Sequence, residues 1–202
     1  TIPANKALAY NAGLKYVLLE INDNKNFIDR KIVIAKDLLE PFKKDTSIEN
    51  IKVLNEFLGK DLKGTICSHP FSKMGYDYDI PMLEANFVTT EQGTGIVHCA
   101  PSHGPDDFNL CLNNNIKAIE TVDGDGKYTN EIKHFEGLHI FKANNLIIEK
   151  LDEQKNLLTN GKLTHSYPHS WRSKAPLVHR ATPQWFISCL LYTSPSPRDR
   201  SS

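Results

Sequence analysis

Gly93-Thr94-Gly95-Ile96-Val97-His98-Cys99-Ala100-Pro101-Ser102-His103-Gly104-Pro105-Asp106-Asp107-Phe108 places two histidines, two aspartates and three glycines around one strand-to-helix turn. Gly93-Thr94-Gly95 reads as a flexible approach, because glycine lets backbone come close to a ligand; Gly95 is the candidate substrate-binding position. Ile96-Val97 reads as a short buried strand. Gly104-Pro105-Asp106-Asp107 reads as a helix start, since proline suits the first helical position and acidic residues suit the first turn. Phe108 and Leu112, four apart, give that helix its apolar stripe. Asp107 then lies near the positive end of a helix dipole, which favours its ionised form. His98 and Asp107 are nine residues apart but bracket one tight turn, so they are expected to face a common cleft. A fixed carboxylate near a fixed imidazole suits a ligand with a positive charge. A lone strand histidine is usually a bonded core residue, and the neighbourhood is what points His98 towards function. For His103, loop support and ligand contact stay open. Asp106 reads as a solvated cap-region charge.

Outward from this turn, Tyr16-Val17-Leu18-Leu19-Glu20-Ile21 and Lys31-Ile32-Val33-Ile34-Ala35 are β-rich runs separated by the turn-like Asn22-Asp23-Asn24-Lys25-Asn26. Thr46-Ser47-Ile48-Glu49 fits a capping box. Ile48, Ile51, Leu54, Phe57 and Leu58 recur at helical spacing before Gly59, so a helix is expected there. Strands are expected at Gly64-Thr65-Ile66-Cys67, at Asn86-Phe87-Val88-Thr89-Thr90 and over 116–122. The last of these ends at the turn Asp123-Gly124-Asp125-Gly126. A helix is expected over 144–158, with Ile147, Leu151 and Leu158 on one side and Asn160-Gly161 stopping it. Many short strands with a few inserted helices predict an α+β domain built on a β-barrel.

Hydrophobic content of 40% and charged content of 24% are those of a soluble globular protein, and 202 residues allow one domain, or one plus part of another. The formal net charge is zero, so any nucleic-acid contact must come from a local patch. No apolar run is long enough to span a bilayer, and no membrane partner is expected. The four cysteines form no C-x-x-C pair, which suggests neither a zinc ribbon nor a disulfide framework; free thiols fit a reducing cytosol.

Other chemistries fit poorly. Adjacent strand residues point to opposite faces, so His98 cannot easily activate Cys99. Ser102 lies in no G-x-S-x-G elbow. An EF-hand starting at Asp123 would need glycine and glutamate where Tyr128 and His134 stand. Gly93-Thr94-Gly95 is not followed by a phosphate-loop lysine. Trp171 and Trp185 suit RNA stacking, but packing is the better default.

The turn resembles the signature of the editing domain of isoleucyl-tRNA synthetases. Two further segments agree in order: Thr1-Ile2-Pro3-Ala4-Asn5 resembles the end of a threonine-rich strand that opens this domain. Ser166-Tyr167-Pro168-His169-Ser170-Trp171-Arg172 with Arg180-Ala181-Thr182-Pro183-Gln184-Trp185-Phe186 resembles the return to the synthetic core. The wording of these segments looks bacterial or organellar. The resemblance implies that Asp107 anchors the substrate α-ammonium, that His98 lines and restricts the pocket, and that Thr1 and Asn5 contact the aminoacyl adenosine. It implies an editing domain over 1–159 and a return segment over 160–188. It also implies hydrolysis of valyl-tRNA(Ile), because one extra methylene is worth only about 1–3 kcal/mol in a hydrophobic pocket, a limit for which these synthetases are themselves the usual illustration. The expected partners are the acceptor end of tRNA(Ile), a mischarged valine and a Rossmann-type core of the same chain. No cofactor is expected in this piece, with ATP and Mg belonging to the parent enzyme. Ser170 and Ser173 stand where some members carry zinc-binding cysteines, so no metal is expected. A non-catalytic RNA-binding module and a free-standing deacylase acting in trans are weaker readings. Because the chain starts inside a motif, it is expected to be a piece of a larger synthetase. The segment Cys189-Leu190-Leu191-Tyr192-Thr193-Ser194-Pro195-Ser196-Pro197-Arg198-Asp199 resembles a translated sequencing-library adapter, so 189–202 are expected to be non-native.

Overall fold

A computed structural model describes residues 1–22, 30–91, 93–161, 166–185 and 187. The expected adapter-like tail and most of the expected turn at 22–26 lie outside the described residues. After a 3-10 turn at Ile2–Ala4, the strands are β1 (Ala7–Tyr10), β2 (Lys15–Ile21), β3 (Lys31–Ala35), β4 (Ile51–Leu58), β5 (Ile66–Ser68), β6 (Asp79–Glu84) and β7 (Ile96–Cys99). The α-helices are α1 (Leu39–Thr46), α2 (Pro105–Asn113) and α3 (Ile140–Glu153). One sheet has the order β5-β6-β1-β7 and the other β3-β2-β4. Only β1 and β6 run parallel; the remaining pairs are antiparallel.

The α+β class is as expected. The strands do not close into one barrel among the described residues. The end of β3 meets the segment that leads into β7 through the backbone bond from Ala35 N–H to the Thr94 carbonyl at 2.8 Å, and the two strands form no ladder among the described residues. Tyr16 reinforces that seam by donating its hydroxyl to the Gly95 carbonyl at 2.7 Å. The largest core cluster joins α3, through Ala143, Ile147 and Leu151, to Phe71, Tyr128 and Phe135.

Several local expectations are corrected. Residues 51–58 form strand β4, not a helix. Leu18 pairs with Asn55 and Leu19 with Val53, which leaves Leu54 as an extra, bulged residue. The half-buried positions are therefore Ile51, Leu54 and Phe57. A spacing of three, made by a bulge, imitates the helical period. Thr46 caps no helix start. It sits at the end of α1, where its hydroxyl donates to the Phe42 carbonyl at 2.7 Å. Gly59 ends no helix either: a Cβ there would overlap the Asn11 carbonyl oxygen. Residues 86–90 are irregular, and the strand on that stretch of chain is the earlier β6. Residues 116–122 keep only the bridge from Val122 to Tyr128. The long helix starts earlier than expected, with His139 capping it, and stops where Lys155 turns left-handed at φ 56°. The Asp123 turn forms as expected, with Gly126 N–H donating to the Asp123 carbonyl at 3.2 Å.

Candidate functional site

The site is built where the N-terminal turn crosses β7. Leu8 pairs with His98 and Ala7 with Cys99, and Lys6 N–H donates to the Cys99 carbonyl at 2.9 Å. This register carries Thr1 to His98, with Thr1 Oγ1 2.8 Å from His98 Nε2. The other ring nitrogen, Nδ1, is buried and makes no hydrogen bond with the described residues. The same holds for Oδ1 of Asn5, whose side chain is 4% exposed. Buried polar atoms are normally satisfied, so His98 Nδ1 and Asn5 Oδ1 each have capacity for one further hydrogen bond. Burial lowers the His98 pKa to about 4, with His103 acting in the same direction, so the ring is neutral at pH 7.

Gly104 and Pro105 start α2 as expected. Asp107 stands in its first turn and reaches back across the loop, where Oδ2 accepts the Ala100 N–H at 2.8 Å. The helix dipole led to an expected preference for the ionised form. Burial raises the carboxyl pKa, with Asp106 adding to the rise and Ala100 N–H and His103 opposing it. His103 lies between the two halves. Nδ1 is 3.0 Å from the His179 carbonyl and Nε2 is 2.8 Å from Thr121 Oγ1. A carbonyl only accepts, so Nδ1 carries the proton and Nε2 of the neutral ring accepts the Thr121 hydroxyl. His103 lowers the pKa of His98 and of Asp107 alike, so one imidazole is electrostatically linked to both. His98 and Asp107 are bonded to different partners, Thr1 and the Ala100 N–H, and not to each other.

Clefts flank this loop on two sides. One, of about 210 Å³, is lined by Thr1, His103, Tyr128, Phe141, Tyr167 and His179. The other, of about 500 Å³, includes Ser102, Gly104, Phe108 and Arg180. The 176–182 stretch also touches the loop through Ala181 N–H, which donates to the Ser102 carbonyl at 2.9 Å.

Nucleophile readings are not favoured by the surroundings. The Cys99 thiol is fully buried with Ala7, Ala9 and Cys111, and burial pushes it up to about 12. The Ser102 hydroxyl is spent on the Ile119 carbonyl. Among the described residues no group of three His, Cys, Asp or Glu side chains is placed to hold a metal ion. No helix among them is long and apolar enough to cross a membrane.

The family described as "Leucyl-tRNA synthetase, editing domain" matches residues 14–157. The chain belongs to that editing-domain family. Within it, the sequence is similar to isoleucine–tRNA ligases. Identity is 72% over 188 residues with that of Pelagibacter ubique (strain HTCC1062), covering 93% of this chain and 21% of the relative. It is 44% over 203 residues with that of Gluconobacter oxydans (strain 621H), covering 93% and 21%. The chain thus spans about a fifth of the length of the curated relatives it matches. Among solved structures, GlLeuRS-CP1 matches with a TM-score of 0.46 at 17% identity over 77% of this chain and 64% of that one. The editing domain of Plasmodium falciparum cytosolic leucyl-tRNA synthetase matches with a TM-score of 0.45 at 13% identity, over 78% and 64%.

The fold brings Thr1 against His98, leaves Asn5 at the other end of the Ile2–Ala4 turn, and sets His103 on the loop after β7 and Asp107 in the first turn of α2. Gly95 stands apart, at the far end of β7, where it packs on β3. Sequence reading missed Thr121 and the Ala100 N–H. Neither carries a local pattern: Thr121 enters through His103, 18 residues away, and Ala100 through Asp107 across the turn.

Proposed function

We propose that this editing domain hydrolyses the ester between valine and tRNA(Ile), as part of an isoleucyl-tRNA synthetase whose core ligates isoleucine to tRNA with ATP and Mg. The observation that carries this is the Thr1–His98 pair, whose second ring nitrogen is buried and unpartnered, with the Asp107 carboxylate in the first turn of the helix that follows the same loop. In this reading Asp107 holds the α-ammonium of the aminoacyl group. An arriving cation stabilises the carboxylate form that burial disfavours, which suits the role. His98, neutral, walls the amino-acid side chain and limits its size without repelling the ammonium. Thr1 Oγ1, Asn5 Oδ1 and the ribose hydroxyl orient a water on the ester carbonyl. An ester has a good leaving group, so positioning supplies most of what is needed. The partners are the acceptor end of tRNA(Ile), valine, and the synthetic core through the 160–188 segment, in the cytoplasm. The test is Asp107→Ala in the full-length ligase, assayed on valyl-tRNA(Ile) with isoleucine activation as the internal control. Losing a buried charge-assisted contact worth about 2–5 kcal/mol slows deacylation roughly thirtyfold or more. Deacylation within about threefold of wild type, with activation intact, rejects the assignment.

A further inference from the structure

His69 is a polar ring placed where an aliphatic side chain would pack as well. It is 1% exposed, stacks on Tyr76 with ring centroids 4.7 Å apart, and leans on Phe71 and Tyr78 at 5.7 and 5.5 Å. Burying an imidazole is costly unless both nitrogens are bonded. Both are. Phe71 N–H donates to Nδ1 at 3.0 Å, so the proton is on Nε2, which donates to the Ile2 carbonyl at 3.2 Å.

The Ile2 carbonyl belongs to the turn that carries the site. It also accepts the Asn5 N–H at 3.1 Å, and the Thr1 carbonyl accepts the Ala4 N–H at 2.8 Å. Thr1 is at one end of this turn, with its hydroxyl on His98, and Asn5 with its free Oδ1 is at the other. The neighbouring ring holds that second end, since the Tyr78 hydroxyl donates to the Asn5 carbonyl at 3.0 Å. The Lys6 ammonium lies 3.9 Å over the Tyr78 ring and steadies it. A three-residue 3-10 turn has poor hydrogen-bond geometry of its own and needs such outside support.

We propose that His69 and Tyr78 are positioning residues of the editing site, clamping the Ile2 and Asn5 carbonyls so that the Thr1 hydroxyl meets His98 and the Asn5 carboxamide faces the substrate. Neither side chain touches the reacting atoms. The clamp rests on the hydrolytic reading for its catalytic consequence, but its geometric consequence is independent of it. Burial keeps His69 neutral, with a pKa of about 4, so one tautomer and one donor serve the clamp at neutral pH.

The experiment uses the full chain with His69→Phe, His69→Gln and Tyr78→Phe. Phenylalanine at 69 fills the space and donates nothing, glutamine keeps an amide N–H at similar reach, and Tyr78→Phe removes one hydroxyl. The first readout is the 15N spectrum of the His98 ring. We expect its signals to move in His69→Phe and to stay near wild type in His69→Gln. The second is kcat and KM for valyl-tRNA(Ile). A misplacement of about 1 Å lowers kcat on the order of a hundredfold in His69→Phe, with KM little changed and a large part regained in His69→Gln. If wild type does not hydrolyse valyl-tRNA(Ile), the functional reading fails and the His98 spectra alone decide the clamp. Unmoved His98 signals in both His69→Phe and Tyr78→Phe overturn it. Equal losses in His69→Gln and His69→Phe that track a common drop in melting temperature also overturn it, in favour of simple core packing. If His69→Phe does not fold, Tyr78→Phe decides: a lower kcat with shifted His98 signals supports the clamp, and no change in either rejects it.

Discussion

Replacing Gly95 by alanine tests whether that glycine serves the seam between the two sheets. Its φ is +72°, and a Cβ there would overlap the Ala35 methyl and lie 3.4 Å from the Ala35 nitrogen. Ala35 is fully buried, and its N–H is bonded to the Thr94 carbonyl at 2.8 Å. On the other side the Gly95 carbonyl takes the Tyr16 hydroxyl at 2.7 Å, and that hydroxyl accepts the Asn11 N–H at 3.1 Å. No flexible side-chain end is available to give way. Gly93 is the control, with φ of +78° and nothing within 4 Å of its Cβ position. Both substitutions carry a left-handed backbone cost of about 1–2 kcal/mol, partly offset by about 0.4–1 kcal/mol from a less flexible unfolded chain. Only Gly95→Ala adds overpacking, about 1–3 kcal/mol. Urea unfolding should therefore show Gly95→Ala less stable than Gly93→Ala by about 1–3 kcal/mol. Equal stabilities would refute the close-approach argument and return Gly95 to the role of a ligand-facing backbone position.

His98→Ala in the full-length ligase should open the pocket and let isoleucyl-tRNA(Ile) be hydrolysed about tenfold faster or more, since a bulky ring no longer fills the wall; if isoleucyl-tRNA is still spared, His98 is not the size filter. Stability should fall on acidification from about pH 7 towards pH 4. His69 and His98 have pKa values lowered from 6.5 to about 4 in the folded chain, so the unfolded chain binds more protons between those values. Lys6 beside His69 and His103 beside His98 push the same way. The contribution of His69 is complete above its unfolded pKa and amounts to ~3 kcal/mol, lost as pH falls through the folded value; His98, partly exposed, adds less. The raised pKa of Asp107 gives the opposite sign in the carboxylate range. Urea midpoints across this range check the claim, and a midpoint that stays level or rises on acidification contradicts it.

The sequence by itself settled what depends on near neighbours. β2, β3, β7 and the start of α2 were legible because β-branched runs, Gly-Pro and first-turn acids act within a few residues. The family was legible because its three motifs are contiguous strings. Two kinds of feature were not. Where a partner strand imposes a bulge, as Leu19 opposite Val53 does on β4, apolar spacing imitates a helix and the local period misleads. Where a group's state depends on what buries it, the residue type is silent: the helix start suggested a carboxyl pKa below the usual range for Asp107, and burial pushes it up. His69 and Tyr78 showed no local signal, because their function is to hold two carbonyls that lie 67 and 73 residues away in the chain. Local chemistry chose the elements whose signals are contiguous; the tertiary structure decided where a bulge makes a strand and which buried polar atoms are bonded or left without a partner among the described residues.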